Sequence, residues 1–388
     1  MAMKIIYDTA FLSLLLLAFS VQQPATIAAS YGLCGIYVLI GLNRLSVSLV
    51  QVIIFFGIVI LSSLAVLNLN HDATSAFYLF SLPLVVLAAK GFGDRPHQHI
   101  ISCLRNVFWL FVLAISIGIA LHWDEPEPLG AIFPGTSTNG LPSYLIVVQI
   151  AFSIAYYLKH NRLPLWSTVA TLIVAIFGLG RGSILIAGLI LLASVFFNAL
   201  ITESKLERRA FLLAGGILGP TFVLYLFINY TQVISSLDLV IEGSKFSSGV
   251  IDEHRARMIA DYMDKMDAWT LIFGTGYQGT SIANVYGGNP HNSFIRLHSF
   301  YGLAGLLFVS LSVLLIAVSS RRLKHRAVTL LFISFSLLRA VTEPIFFPST
   351  LDFFFILYLV VFFNYAERNS RPQLRDARYA SVHNREAD

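Results

Sequence analysis

The sequence is dominated by long apolar runs separated by short polar segments. Residues 11–18 form one such run, in which a single serine stands among leucine, alanine and phenylalanine. An apolar run of about 18 to 20 residues crosses a bilayer as a helix, which satisfies its own backbone polar groups. The pattern therefore predicts an all-α polytopic membrane protein with about 12 transmembrane helices. The predicted spans are 5–21, 26–42, 47–67, 74–90, 102–121, 141–158, 164–180, 182–201, 210–229, 293–319, 327–343 and 349–365.

Composition and charge agree with this class and predict an orientation. The chain has 388 residues, of which 56% are hydrophobic and 12% charged, whereas an average soluble domain has about 25% charged residues. The basic residues gather in the segments on one side of the predicted spans, and that side is expected to be cytoplasmic. Both termini are therefore predicted to lie in the cytoplasm, with the spans in a bacterial inner membrane. The net charge of +5 indicates this orientation and does not predict nucleic-acid binding.

The predicted spans divide the chain into four parts. These are transmembrane helices 1 to 9 in residues 1–228, a large periplasmic loop in 229–292, transmembrane helices 10 to 12 in 293–367, and a basic cytoplasmic tail in 368–388. The tail is expected to be disordered against the inner leaflet. A loop above about 15 residues is usually functional or disordered, so the large loop is the first place to look for chemistry.

The middle of this loop, Asp252 to Trp269, predicts an amphipathic helix that lies on the membrane surface. Its apolar residues recur at helical spacing, and its charged residues share another face. The apolar set is Met258, Tyr262, Met266 and Trp269, and the charged set is Glu253, Arg257, Asp261 and Lys265.

Arg181 is a charge inside an apolar stretch that runs from Leu163 to Ile201. The stretch is long enough for two spans, so the arginine is expected near the turn on the outer side. A charge within the membrane is costly unless it is paired, and Arg181 is therefore a candidate to bind an anion. Its neighbours Gly180 and Gly182 would let a large anion approach the backbone. The alternative is an arginine at a turn that reaches lipid headgroups.

Arg255 and Arg257 open the amphipathic helix of the loop. Two residues two positions apart diverge by about 200° on a helix, so one of them is expected to bind substrate. Arg257 is the preferred residue, because Arg255 could equally face solvent. In the alternative interpretation both are surface charges.

Pro290-His291-Asn292 closes the loop where the tenth span begins. Asn292 or Ser293 is predicted to cap that helix, whose positive N-terminal end favours anions. His291 beside it is a candidate base for a hydroxyl group, since histidine accepts a proton near neutral pH. The alternative is a polar residue that merely starts a helix.

Other polar side chains are candidates to support this site. Arg339 and Glu343 stand four residues apart, which predicts an ion pair or a supporting role. His298 falls on one helix face with Gly302 and Gly305, where close helix packing explains the glycines. No Asp-x-Asp motif or histidine-rich loop is present, and Cys34 and Cys103 lack metal-ligand spacing. No metal or other cofactor is therefore expected.

From about residue 139 to 310 the sequence resembles the bacterial O-antigen ligase and O-antigen polymerase superfamily of membrane glycosyltransferases. The resemblance depends on short motifs and their spacing. They are Thr138-Asn139-Gly140, Gly180-Arg181-Gly182-Ser183, the loop arginines, Gly274-Thr275-Gly276, and His291-Asn292 followed after nine residues by Gly302-Leu303-Ala304-Gly305. Two positions depart from the family pattern, since Gly180 replaces the usual serine and Asn289 stands where many ligases have another histidine.

The resemblance implies a GT-C-like enzyme that works without nucleotide sugar or metal. It would transfer a glycan from an undecaprenyl-pyrophosphate-linked oligosaccharide or polysaccharide to a hydroxyl on the periplasmic face. Arg181 and Arg257, with Arg255, would hold the pyrophosphate, and His291 would activate the acceptor. An O-antigen or exopolysaccharide polymerase uses another lipid-linked unit as acceptor, and a ligase uses lipid A-core; Asn289 favours the polymerase. Membrane lipids and polysaccharide-assembly proteins are further expected partners.

Two other classes compete with an enzyme. A transporter or flippase for lipid-linked sugars would also have many spans and outward arginines, but it predicts a path of polar residues at mid-membrane depth. A membrane scaffold would leave Arg181 unexplained.

Overall fold

The apolar runs form helices in the computed structural model, which describes residues 2–41, 73–125, 127–133, 137–201, 253–319 and 322–365. These ranges contain helices and no strand, which confirms the all-α class. The helices, numbered in chain order, are α1 (Ala2–Ser20), α2 (Pro24–Gly41), α3 (Ala73–Gly93), α4 (His97–Leu121), α5 (Pro128–Ile132), α6 (Gly140–His160), α7 (Leu165–Phe177), α8 (Arg181–Ile201), α9 (Glu253–Asp264), α10 (Ala268–Phe273), α11 (Ser281–Asn284), α12 (Ser293–Val318), α13 (Leu323–Thr342) and α14 (Asp352–Tyr365).

Seven of these helices are long and apolar enough to cross a membrane: α1, α2, α4, α6, α8, α12 and α13. Shorter apolar helices lie within α3, α7 and α14. Each coincides with a predicted span, whereas the spans predicted at 47–67 and 210–229 lie outside the described residues. The transmembrane character is therefore confirmed, and the total of about 12 spans stays a prediction.

Helix α6 lies at the centre of the bundle. It packs against α1, α4, α7, α8 and α13, and nearly all of its side chains from Leu141 to Leu158 are buried. A helix that is apolar on all sides becomes stable when other helices surround it. The polar residues at its first turn therefore lie inside the protein.

Glycines allow close contact between α6 and the turn that joins α7 to α8. A Cβ atom at Gly178 would overlap the ring of Pro142, and one at Gly180 would overlap the amide oxygen of Asn139. Because neither residue has a side chain, the turn lies directly against the start of α6. The predicted split between the seventh and eighth spans is confirmed, and Arg181 is the first residue after the turn.

The amphipathic helix predicted from Asp252 to Trp269 is two helices. Helix α9 ends at Asp264, and α10 begins after Asp267, whose carboxylate accepts from the Thr270 N–H at 2.7 Å. That hydrogen bond lowers the pKa of Asp267 and forms part of a capping box that starts a new helix. Met258 and Tyr262 of α9 are buried against Ile282 and Ile295 of the protein and not on a membrane surface, whereas Trp269 lies on α10 with 69% of its surface exposed. The prediction of one continuous helix is therefore wrong.

Helix α12 bends where α10 lies against it. Gly302 has a φ of 57° inside α12, and a Cβ there would overlap the backbone of Ile272 and Phe273. The left-handed conformation and the close approach both require glycine. The prediction that Gly302 serves close packing is confirmed, and the partner is the short helix α10.

Candidate functional site

Arg339 is buried at the C-terminal end of α13, with 3% of its side chain exposed. Its Nε and Nη2 atoms donate to the Ser143 hydroxyl at 3.0 and 2.8 Å, and Nη1 donates to the Thr342 hydroxyl at 2.6 Å. Nη2 also lies 3.3 Å from the Oε1 atom of Glu343, which confirms the predicted ion pair. A buried charge is tolerated when it is both paired and hydrogen-bonded, so these contacts hold the guanidinium in a fixed position.

The turn that carries Arg181 lies against this guanidinium. A Cβ atom at Gly182 would be 3.0 Å from the Nη1 atom of Arg339, and Nη2 of Arg339 donates to the Asn139 carbonyl oxygen at 3.5 Å. Arg181 is half-buried at the first position of α8. The backbone next to Arg181 is thus within contact distance of a second arginine, although positions 181 and 339 are 158 apart in the sequence.

Arg255 approaches the same cation from α9. The positive charge of Arg255 interacts electrostatically with the guanidinium of Arg339, and the Arg255 side chain is half-buried. Arg257 is exposed, and its charge acts on Asp261 one turn later. Of the two loop arginines, Arg255 is therefore the one that the fold brings to Arg339. Like charges repel at short range, so a cluster of this kind favours an anion between its members.

His291 and Asn292 form the junction between the loop and α12. Asn292 accepts from the Phe294 and Ile295 N–H groups at 2.8 and 3.2 Å, so it caps α12 as predicted. His291 has a left-handed backbone with a φ of 47°, and its N–H donates to the Asn289 side-chain oxygen at 2.9 Å. Its half-buried ring is therefore presented by a tight turn immediately before the capped helix end.

Ser293 joins this junction to the end of α13. Its hydroxyl donates to the Glu343 carbonyl oxygen at 2.7 Å and accepts from the Phe346 N–H at 3.1 Å. Two residues of extended chain reach at most about 7 Å, so the His291 backbone is close to the segment that holds Glu343. The junction and the Arg339 ion pair belong to one end of the bundle.

Sequence reasoning missed Arg296, which is half-buried on the first turn of α12. Its Nη1 atom donates to the Pro344 carbonyl oxygen at 3.3 Å. The charges of Arg296, Glu343 and Arg339 all interact electrostatically with the side chain of Tyr144. The sequence does contain a signal for Arg296, because this charged residue stands at the start of an apolar run, as Arg181 does.

His298 does not join this cluster. Its Nε2 atom pairs with the Leu271 carbonyl oxygen at 2.9 Å, and its Nδ1 atom pairs with the Tyr262 hydroxyl, also at 2.9 Å. A carbonyl only accepts, so Nε2 carries the proton and Nδ1 accepts from Tyr262. This buried histidine joins α9 and α10 to α12, which is a structural role.

The Tyr262→Phe variant tests this role. We expect it to lower the free energy of unfolding by about 1 to 3 kcal/mol, because it leaves the Nδ1 atom of His298 buried without a donor. Unfolding in mixed micelles, followed by circular dichroism, measures the change. Tyr156→Phe is the matched control on the half-buried Tyr156, and an equal effect of the two changes would contradict the role given to Tyr262.

An apolar groove lies beside the cluster, between α3, α12 and α14. Its lining is apolar apart from Tyr301 and Asp352, and the Tyr301 hydroxyl has no hydrogen-bond partner among the described residues. The positive charge of Arg296 interacts electrostatically with the side chains of Tyr301 and Asp352. The groove therefore has one charged end, next to the arginines. Its lining residues are Leu82, Val86, Leu297, Tyr301, Gly305, Phe308, Phe347, Asp352 and Ile356.

A second charged network, also missed by sequence reasoning, lies at the other end of α6. Asp8 of α1 is fully buried and contacts His99 at 2.6 Å and Arg95 at 3.1 Å. His97 nearby pairs with the Ala155 carbonyl oxygen at 2.6 Å, 12 residues or about 18 Å along α6 from Ser143. This network is therefore separate from the Arg339 cluster.

No family model matches the sequence, and no curated protein or solved structure matches it either. The functional proposal therefore depends on the contacts and charges of the site itself.

Proposed function

We propose that this protein is a membrane glycosyltransferase that moves a glycan from undecaprenyl pyrophosphate to a sugar hydroxyl on the periplasmic face. We further propose that it acts as an O-antigen or exopolysaccharide polymerase. The observation that carries the proposal is the convergence of Arg255 and the Arg181–Gly182 turn on the buried guanidinium of Arg339. Arginine residues near one point, one of them paired with the Glu343 carboxylate, suit a pyrophosphate.

The arginines have different roles in this proposal. Arg339 is fixed by Ser143, Thr342 and Glu343, so it stays in place beside the Arg181–Gly182 turn and does not reach for the ligand. Arg181 and Arg255 are half-buried, and their side chains bind the phosphate oxygens. Charge that develops on the leaving pyrophosphate is stabilised by donors already in position.

His291 acts as the base. It takes the proton of the acceptor hydroxyl as that oxygen forms a bond to the anomeric carbon of the donor glycan, while the bond from that carbon to the pyrophosphate oxygen breaks. The electron pair leaves with the lipid pyrophosphate. No redox cofactor is needed for this exchange, because no atom changes its oxidation state overall.

The apolar groove supports a lipid-linked donor. Its lining would accept the first isoprene units of the carrier, and its charged end lies beside Arg296. A lipid tail in the groove would place its pyrophosphate at the arginines. A water-soluble nucleotide sugar would have no use for such a groove, so the arrangement favours a lipid carrier over a soluble donor.

The protein reconstituted in vesicles with a lipid-linked oligosaccharide tests the proposal. We expect glycosidic bond formation and release of undecaprenyl pyrophosphate in the absence of nucleotide sugar. Products that stay on the lipid carrier and grow longer support the polymerase, whereas transfer to added lipid A-core indicates a ligase instead. Movement of the oligosaccharide across the bilayer without any new bond would contradict the enzyme proposal and indicate a flippase.

A matched pair of variants tests the choice between the loop arginines. We expect Arg255→Ala to lower the rate of transfer by about 10- to 100-fold, which corresponds to the loss of a charge-assisted hydrogen bond of roughly 1.5 to 3 kcal/mol. Arg257→Ala removes the same charge from the exposed face and should stay within about threefold of the parent protein. A larger effect at Arg257 than at Arg255 would contradict the assignment.

A further inference from the structure

The short helix α10 exposes apolar side chains instead of burying them. Trp269, Leu271 and Ile272 are 69%, 47% and 50% exposed, although α10 has only six residues. The helix is held firmly, because the Ile272–Phe273 backbone lies against Gly302 and the Leu271 carbonyl oxygen pairs with His298. A fixed helix with an exposed apolar face needs an apolar surface to cover it.

The contact with Gly302 shows how deep α10 lies along α12. The uncharged run Phe300–Val318 of α12 follows Arg296 and His298, and its 19 residues span about 28 Å as a helix. That length matches the hydrocarbon layer of roughly 30 Å. A hydrocarbon layer that begins with this run would place the contact of α10 with Gly302, two residues inside the run, about 3 Å below the boundary between headgroups and acyl chains.

The backbone that follows α10 is joined to the end of α9 and to α12 by side-chain hydrogen bonds. The Ser299 hydroxyl donates to the Thr275 carbonyl oxygen at 2.8 Å. The Lys265 ammonium donates to the carbonyl oxygens of Gly276 and Gln278 at 2.8 and 2.9 Å, and its burial lowers the pKa of Lys265. These three bonds hold the segment after α10 against the end of α9 and against α12.

The exposed face of α10 is continuous with the lipid-facing side of α12. Leu303, Leu307 and Leu311 follow one another along α12 and are 39%, 51% and 54% exposed. These leucines belong to a helix apolar enough to cross the membrane, where acyl chains cover such side chains. The same acyl chains are in position to cover α10.

We propose that α10 is a membrane anchor whose Trp269, Leu271 and Ile272 side chains insert among the lipids of the leaflet at the N-terminal end of α12. Its partner is the bilayer at the level where headgroups meet acyl chains, a level at which tryptophan is enriched. The anchor fixes the height of α9, and with it Arg255, above the acyl chains. The inference does not depend on the proposed glycan transfer.

Fluorescence of Trp269 tests the anchor directly. In a protein with Trp109, Trp123 and Trp166 changed to Phe and reconstituted in phosphatidylcholine vesicles, lipids brominated near the glycerol end of the chain should quench Trp269 strongly. Lipids brominated at the middle of the bilayer should quench it less, and acrylamide in the water should have little effect. Strong quenching by acrylamide would overturn the proposal. So would protection from both quenchers, which would indicate that a protein surface covers α10.

Cysteine labelling gives a second test that keeps all four tryptophans. The native Cys34 and Cys103 are buried, so a water-soluble maleimide reports on the introduced residue alone. We expect Ile272→Cys to lose nearly all labelling in vesicles and to regain it when detergent disperses the bilayer. Asn284→Cys, at the exposed end of α11, should be labelled under both conditions. Equal labelling of the two positions in vesicles would overturn the anchor.

Discussion

Replacement of His291 by asparagine should lower the rate of glycan transfer by about 10²- to 10⁴-fold, the range that a general base contributes. Asparagine is the informative replacement because the His291 backbone has a φ of 47°, a conformation that asparagine adopts more readily than alanine. It cannot accept a proton near neutral pH. The variant thus removes the proposed base while it preserves the turn, and initial rates with a lipid-linked oligosaccharide measure the loss.

Two controls separate chemistry from folding in this experiment. The thermal midpoint of His291→Asn should fall only slightly, because the variant keeps the backbone N–H bond to Asn289 and loses the edge contact of the ring with Tyr286. His122→Ala changes another half-buried histidine, next to the end of α4, and should leave the rate within about twofold. A full rate in folded His291→Asn protein would remove His291 from the mechanism.

The helices were predictable because each depends on the local sequence. Apolar runs of span length appear in the sequence as such, and the candidate spans α1, α6 and α12 coincide with them. The break between α9 and α10 was missed because helical spacing continues across it. A capping box formed by Asp267 and Thr270 starts a new helix there. Both residues are visible in the sequence at the spacing that a capping box requires.

The arginine cluster was only partly predictable. Arg181 and His291 were identified by their local setting, but the contact of Arg339 with Ser143 joins residues 196 positions apart, which no local pattern shows. The greater burial of Arg255 than of Arg257 could have been predicted from the sequence. Arg255 is three residues before Met258 and shares its buried face, whereas Arg257 is four before Asp261 on the charged face.

The Asp8→Asn variant should lower the free energy of unfolding by about 3 to 5 kcal/mol, the cost of leaving a buried charge without its partner. The Asp8 carboxylate is fully buried and contacts three side chains. Tyr37 of α2 donates to it at 3.0 Å. Arg95, just before α4, and His99, in the first turn of α4, also contact it. An amide at this position cannot balance the guanidinium of Arg95. Unfolding in mixed micelles measures the difference, and Asp94→Asn, whose Lys90 partner is partly exposed, should cost only about 1 kcal/mol.

A double variant decides whether charge is the cause of that loss. Asp8→Asn combined with Arg95→Met removes both members of the buried pair, so we expect it to be more stable than Asp8→Asn alone. Loss of packing alone would make the double variant less stable than either single variant, which would contradict the role of the pair. The transfer rate of the folded fraction should stay close to that of the parent, because the Asp8 network lies at the other end of α6 from Arg339. A rate that fell with stability in the folded fraction would show that the two ends of the bundle are coupled.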